Sequence, residues 1–192
     1  MEKEALFELK REIFHILLGI SIIIMALSFT WTNYLLFYLL IAGIILSLLS
    51  LKLKIPIVYF FLKNFERERF MKTFPGKGAL FFIAGCLLVL KLFEPNIALA
   101  SIAILTFIDS VPPLVKISKI KRKRLIGTIA GGVLTFIAAS FFVPLLLAAF
   151  GTIIGAISEA ILLKSDKYGV DDNLIVPLVS GTLMMLFSGI II

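Results

Sequence analysis

The sequence contains no glutamine, only four asparagines, one histidine and one cysteine among its 192 residues, and just 16% of it is charged. With Cys86 as the single cysteine, an intrachain disulfide and a cysteine metal cluster are excluded. In its apolar run it reads as inert packing. The shortage of amides matches the depletion of thermolabile residues in thermophile proteins. The shortage of charge excludes a water-soluble domain, which carries about 25% charged residues. What fills the chain is 60% hydrophobic residues, with a mean hydropathy of +1.11. The charges fall in short blocks between long apolar runs. This pattern predicts an all-α, polytopic membrane protein, residues 1–192 forming one integral membrane domain.

A helix rises 1.5 Å per residue, so roughly 20 apolar residues cross about 30 Å of hydrocarbon. Five runs approach that length, at 13–29, 34–51, 125–143, 144–163 and 174–192. The first follows a charged segment but lacks a small-residue cleavage site before Trp31, which predicts a retained crossing and not a removed signal. The stretch 125–163 is too long for one crossing and must fold back near Ser140 to Pro144. Two less tidy runs, 79–93 with Lys91 and 97–115 with Asp109, flank the turn-like Glu94-Pro95-Asn96 and complete seven predicted transmembrane helices. Residues 55–70 open with Pro56 and are too short to cross. They predict an interfacial helix.

The distribution of lysine and arginine tests the count independently. With the N-terminus in the cytoplasm, eighteen of the nineteen basic residues fall on the cytoplasmic side and only Lys91 falls outside. That bias predicts a cytoplasmic N-terminus and an external C-terminus. The net charge of +7 is then explained by topology, and no nucleic-acid partner is expected. The predicted location is the cell membrane, multi-pass.

Charges within hydrocarbon cost several kcal/mol, so intramembrane carboxylates are candidate functional groups. Asp109 lies about 18 Å from the outer end of the fourth predicted crossing and Glu159 about 22 Å from that of the sixth, a similar depth. His15 belongs to the same layer, on a polar stripe with Glu8, Arg11 and Glu12. Gly151, Gly155 and Glu159 share a helix face, and Gly127 and Gly131 repeat the spacing. Val111-Pro112-Pro113 predicts an end or bend just after Asp109. Asp109 is either at a cavity wall or paired with a lysine of the next loop.

Three loops add complementary groups. Pro75-Gly76-Lys77-Gly78 opens a helix whose free N–H groups and lysine suit a phosphate. The loop 116–124 concentrates six cations, including Lys123 and Arg124, before Gly127-Thr128; polyphosphate, topology and anionic lipid each explain it. Asp171-Asp172-Asn173 offers oxygen ligands suited to Mg²⁺, or helix caps.

At these residues the chain resembles the CTP-dependent lipid kinases, the group of dolichol kinase, phytol kinase and the yeast-type diacylglycerol kinase, itself similar to membrane cytidylyltransferases. The likeness runs almost end to end. An Arg-Lys-x-x-His pattern corresponds to Arg11 through His15, and a P-G-K-G-A segment to Pro75 through Ala79. A Gly-Asp helix end corresponds to Ile108-Asp109, and a Lys-Ser-x-Glu-Gly-Ser/Thr motif to Lys123 through Thr128. Glu159, Asp172, Asn173 and Pro177 follow the order of a Glu…Asp-Asn…Pro pattern. The chain departs at Glu12, where the family has lysine, and at Ile108, Arg124 and Ile126, where it has glycine, serine and glutamate.

The resemblance implies transfer of the γ-phosphoryl group of CTP to the hydroxyl of a polyprenol or dolichol-like alcohol, or of a diacylglycerol-type lipid, at the cytoplasmic leaflet. It implies Arg11, Lys77, Lys123, Arg124, Gly127, Thr128 and Asn173 at the nucleotide and phosphates, and Mg²⁺ on Asp109, Glu159 and Asp172. Asp109, His15 and Glu159 are the implied catalytic groups, with Asp109 or His15 taking the alcohol's proton. The alternatives are cytidylyl transfer to a lipid phosphate and a non-catalytic lipid-binding or transport protein. A transporter predicts inverted repeats, and no convincing internal repeat is present.

Overall fold

The computed structural model describes residues 2–117, 123–164 and 171–191, and every described element is helical. The helices are α1 (Glu2–Ser28), α2 (Thr32–Ser50), α3 (Pro56–Phe65), α4 (Glu68–Met71), α5 (Lys77–Leu92), α6 (Pro95–Ile117), α7 (Lys123–Ser140), α8 (Leu145–Lys164) and α9 (Asp172–Ile191). Five of them, α1, α2, α6, α8 and α9, are long and apolar enough to cross a membrane. Two are shorter: α5 has 16 residues, and the apolar part of α7 is Leu125–Ser140.

The bundle is organised around α6, which packs against α1, α5, α7, α8 and α9. Ala98, Ala100, Ile102, Ala103 and Ile104 on this helix have no exposed surface. Ser101 and Thr106, buried among them, each donate a hydroxyl hydrogen bond at 2.7 Å to the carbonyl four residues back, so these two polar side chains are satisfied within the helix. The outer faces are apolar as well. Leu17, Ile24, Tyr38, Phe141 and Leu146 are more than half exposed, the reverse of a surface built for water.

Turns follow local chemistry. Thr32, buried at the start of α2, donates its hydroxyl to the carbonyls of Met25 and Phe29 at 2.8 and 2.7 Å, closing the α1–α2 corner. Pro56 sits in the first turn of α3, where its missing N–H costs nothing. The segment 55–70 is not one helix. Glu66 is extended (φ −105°, ψ 141°) and separates α3 from the single turn α4, because its carboxylate turns inward. Gly76, at φ +80°, is the left-handed residue from which α5 starts.

The prolines that predicted an end to the helix after Asp109 lie inside α6, which continues to Ile117. A neighbour accommodates them: Gly127 and Gly131 of α7 lie against Pro112, and a Cβ on Gly127 would stand 3.0 Å from the Pro112 carbonyl oxygen. Pro177 in α9 removes the N–H that would otherwise bond to the carbonyl of Asn173. That carbonyl presses against Gly85 of α5, where any Cβ would overlap it.

Gly85→Ala therefore forces α5 and α9 apart, with an expected loss of about 1–3 kcal/mol. Gly132→Ala, at a position with nothing within 4 Å of the added Cβ, is expected to be neutral or stabilising by up to about 1 kcal/mol. Thermal unfolding of both variants in one detergent checks this. Equal melting temperatures would refute the close approach at Gly85.

Candidate functional site

The site begins on α1. Glu8, Arg11, Glu12 and His15 follow helical spacing, and Arg11, Glu12 and His15 are buried where this face meets α6. Glu12 has no exposed surface, and its Oε1 takes a hydrogen bond and ion pair from Arg11. Arg11 also pairs with Glu8 at 2.9 Å. From the facing side α6 brings Asp109, half-buried and only three residues beyond the self-satisfied Thr106. Glu12, His15 and Asp109 each place a ligand-type atom within 4.8 Å of the others.

Arg11, His15 and Asp109 open onto a cavity of about 560 Å³, with Glu12 buried behind them. Arg11, His15, Lys77, Asp109, Asp172 and Asn173, all singled out from the sequence, line it together with Glu66, Arg67 and Asp171. Its other walls are apolar: Leu39, Gly43 and Leu46 from α2, and Ile57, Val58, Phe61, Leu62 and Phe65 from α3. Phe65 stacks on Phe14 of α1 with ring centroids 4.8 Å apart, which ties α3 to the helix bearing His15. One chamber thus joins a charged end to an apolar one.

Lys77 is fixed on both sides. Its ammonium lies 4.9 Å from the Phe70 ring centroid and 5.5 Å from that of Phe81, and 3.4 Å from Asp171 Oδ2. Asp171 in turn caps α9, accepting the Asn173 N–H at 3.3 Å and the Asn173 side-chain amide at 2.8 Å. Asp172 Oδ1 accepts the same Asn173 N–H at 3.0 Å, so the capping role considered for Asp172 is shared with its neighbour. Asn173 Oδ1 is buried without a partner, as are Glu12 Oε2 and His15 Nδ1. Of these three residues, Asn173 and His15 line the cavity, and each unpartnered atom is one to which a ligand could bond. Asp172 lies within electrostatic reach of both Asp171 and Asp109, so the cavity concentrates negative charge beside its cations.

The Pro75–Gly78 loop does more than face the cavity. The Glu66 carboxylate accepts the Arg67 N–H at 2.9 Å and also the N–H groups of Gly78 and Gly76, so a side chain from 66 caps α5 where the sequence suggested a phosphate. Glu66 is the cavity carboxylate that sequence reasoning missed; Asp171 was in view as an oxygen ligand beside Asp172 and Asn173. Glu12 was on the visible polar stripe, whereas Glu66 sits in the charged run Glu66-Arg67-Glu68-Arg69, which reads as surface.

Other candidates lie elsewhere. Glu159 is half-buried on α8 and does not line the cavity. The face it shares with Gly151 and Gly155 packs on Ile104 of α6 and on Val176, Ser180 and Met184 of α9. Gly127 is a packing glycine against Pro112, and Thr128 is exposed on the next position. The side chains of Lys123 and Arg124, and residues 118–122 and 165–170, are outside the described residues.

Burial pushes the Glu66 carboxyl above its ordinary value of 4.5, the three N–H groups pulling the other way. A raised value means that the folded state holds this proton more tightly than the unfolded chain. The resulting stabilisation is complete below about pH 4.5 and is lost as pH rises through the raised value. The stability of wild type relative to Glu66→Gln is therefore expected to fall as pH rises above about 4.5, read from melting curves in detergent. A difference that does not change with pH would show that Glu66 titrates normally.

The chain is 31% identical over 176 residues to the uncharacterized protein MJ1137 of Methanocaldococcus jannaschii, an alignment covering 90% of each. No family model matches the chain, and no solved structure matches it.

Proposed function

We propose that this chain, which belongs to the same family as MJ1137 of Methanocaldococcus jannaschii, is a membrane lipid kinase that moves the γ-phosphoryl group of CTP to the hydroxyl of a polyprenol or dolichol-like alcohol, or of a diacylglycerol-type lipid. The observation that carries this reading is the single chamber with apolar walls from α2 and α3 and charged walls from α1, α6 and the start of α9. A lipid acceptor and a polyphosphate donor need those two environments side by side.

In this reading the chain crosses the cell membrane seven times, N-terminus in the cytoplasm and C-terminus outside, with the cavity at the cytoplasmic leaflet. The 16 residues of α5 span about 24 Å, somewhat short of the hydrocarbon thickness. Lys91 at its outer end extends it by snorkelling. Lys91 lies 5.5 Å from the Tyr34 ring centroid, an arrangement suited to an outer interface.

Phosphoryl transfer depends on positioning and charge neutralisation. Arg11, Lys77 and Arg67 are the described cations at the cavity, and incoming phosphates would exchange with the carboxylates that now hold them. The alcohol oxygen bonds to the γ-phosphorus as the bond to the β-phosphate oxygen breaks, CDP leaves, and the hydroxyl proton passes to Asp109 or His15. Asp109, Asp172 and the unpartnered Asn173 Oδ1 are oxygen donors that fit Mg²⁺. When bound, Mg²⁺ would offset the charge of the phosphates. Glu159 takes no part in this scheme.

Purified protein in lipid, given γ-labelled CTP or ATP with Mg²⁺ and a panel of polyprenols and diacylglycerols, is expected to label a lipid. Asp109→Asn should lower the rate by about 100-fold or more. Pyrophosphate release in place of CDP would replace the kinase by a cytidylyltransferase. No product under any condition would overturn both.

Topology has its own check. In a Cys86→Ser background, Lys91→Cys should react with an impermeant maleimide from outside intact cells, and Lys52→Cys only after permeabilisation. The opposite pattern would invert the orientation.

A further inference from the structure

We infer that Glu12, His15 and Asp109 form a binding site for a divalent first-row transition ion, which shares Asp109 with the oxygen donors suited to Mg²⁺ but adds a buried carboxylate and an imidazole. The inference goes beyond the lipid-kinase reading and does not depend on it. Ligands bonded at about 2.0–2.2 Å to one ion stand about 3–4.4 Å apart, and the donor atoms here all lie within 4.8 Å of one another. Two of the three side chains are more than nine-tenths buried, Glu12 with no exposed surface and His15 with 7%. Each presents an atom that lacks any partner: Glu12 Oε2 and His15 Nδ1.

Arg11 explains why one oxygen of Glu12 is left bare. It binds Oε1, so the carboxylate is oriented and half-neutralised while Oε2 stays available. This is the supporting contact that buried ligating carboxylates carry. A protonated His15 neutralising the two acids would instead donate a hydrogen bond from each ring nitrogen, and Nδ1 donates none. The cluster also holds two acids, whose combined charge a divalent ion offsets.

The donor types indicate which ion. Mg²⁺ takes oxygen ligands and gives up its waters reluctantly, whereas an imidazole beside carboxylates suits the Mn²⁺-to-Zn²⁺ series. Zn²⁺ is expected to bind more tightly than Mn²⁺, in line with the general order for such sites.

His15 is the only histidine in the chain, so nitrogen ligation can be assigned without a variant. Protein freed of any affinity tag is titrated with Mn²⁺ in detergent and examined by electron spin echo spectroscopy. The expected result is one bound Mn²⁺ per chain carrying imidazole nitrogen modulation, displaced by Zn²⁺ at lower concentration than by Mg²⁺. Glu12→Gln should weaken Mn²⁺ binding by at least about tenfold, with the melting profile checking that the variant is folded. Glu94→Gln, at an exposed position between α5 and α6, should not weaken it. Bound Mn²⁺ without nitrogen modulation, or no stoichiometric binding, overturns the site. If lipid labelling then persists with Mg²⁺, the kinase reading survives alone. Nitrogen-coupled Mn²⁺ in a protein that labels no lipid leaves the metal site standing without the kinase.

Discussion

A carboxylate with no exposed surface inside an apolar helix bundle must be answered by other charges, and the arrangement around Glu12 is that answer. Taking such an ion from water into a low-dielectric interior costs several kcal/mol, recovered only with well-placed partners. Arg11 supplies one of them from the adjacent position, where helix geometry would normally point the two side chains apart. The guanidinium manages this while also holding Glu8, which draws the start of α1 into a compact charged knot. Opposite it, α6 satisfies its own polar residues at Ser101 and Thr106 by bonding them to its backbone, and Asp109 is the first acid to leave that pattern. Where the knot and that acid meet, the bundle opens into its cavity.

The helix irregularities serve the same region. Two helix-interior prolines are matched by glycines on a neighbouring helix: Pro112 by Gly127 and Gly131, and the carbonyl released by Pro177 by Gly85. A proline in a helix frees a carbonyl and adds bulk, and close approach of a side-chain-free neighbour absorbs both. The pairing at Gly85 fixes Asn173, and with it the start of α9, against α5. Lys77 on α5 therefore meets Asp171, which is held beside the lysine by the backbone contact at Gly85 as well as by charge.

Much of the fold was legible because apolar run length is a one-dimensional property. Run length ranked 125–143 above 97–115, whereas α6 is the long helix and the apolar part of α7 is shorter. The helical class and the other four of the five long apolar helices follow from run length directly. So does much of the site, since Arg11, His15, Lys77, Asp109, Asp172 and Asn173 were all marked by charge or turn chemistry and line one cavity. What the chain order hid is azimuth and long-range reach. Asp109 and Glu159 were expected at similar depths, yet only Asp109 lines the cavity, because depth along a helix says nothing about rotation around it. Glu66 looked like one more charge in a basic surface segment. Its role depends on reaching the N–H groups of Gly76 and Gly78, ten and twelve positions on, across a chain reversal that no periodicity announces. The prolines in α6 misled for the opposite reason: the local rule that proline ends a helix gave way to tertiary packing.

Position 12 gives the departures from the lipid-kinase pattern a physical meaning. The family that the chain resembles has lysine at position 12 and glutamate at position 126, and this chain has Glu12 and Ile126. Ile126 is exposed on α7 and does not line the cavity, whereas Glu12 is buried beside Asp109 and His15. A carboxylate is absent at one position, while at the other an acid stands in place of a cation. Relative to that pattern, the acids at the α1–α6 contact gain one negative charge and lose one positive charge. A buried cluster cannot carry that change uncompensated, because like charges at this range in a low dielectric repel by several kcal/mol. Arg11 meets part of it through Oε1. The remainder falls on the side where Glu12 Oε2 and His15 Nδ1 stand without partners, which is where a bound cation has the most to neutralise.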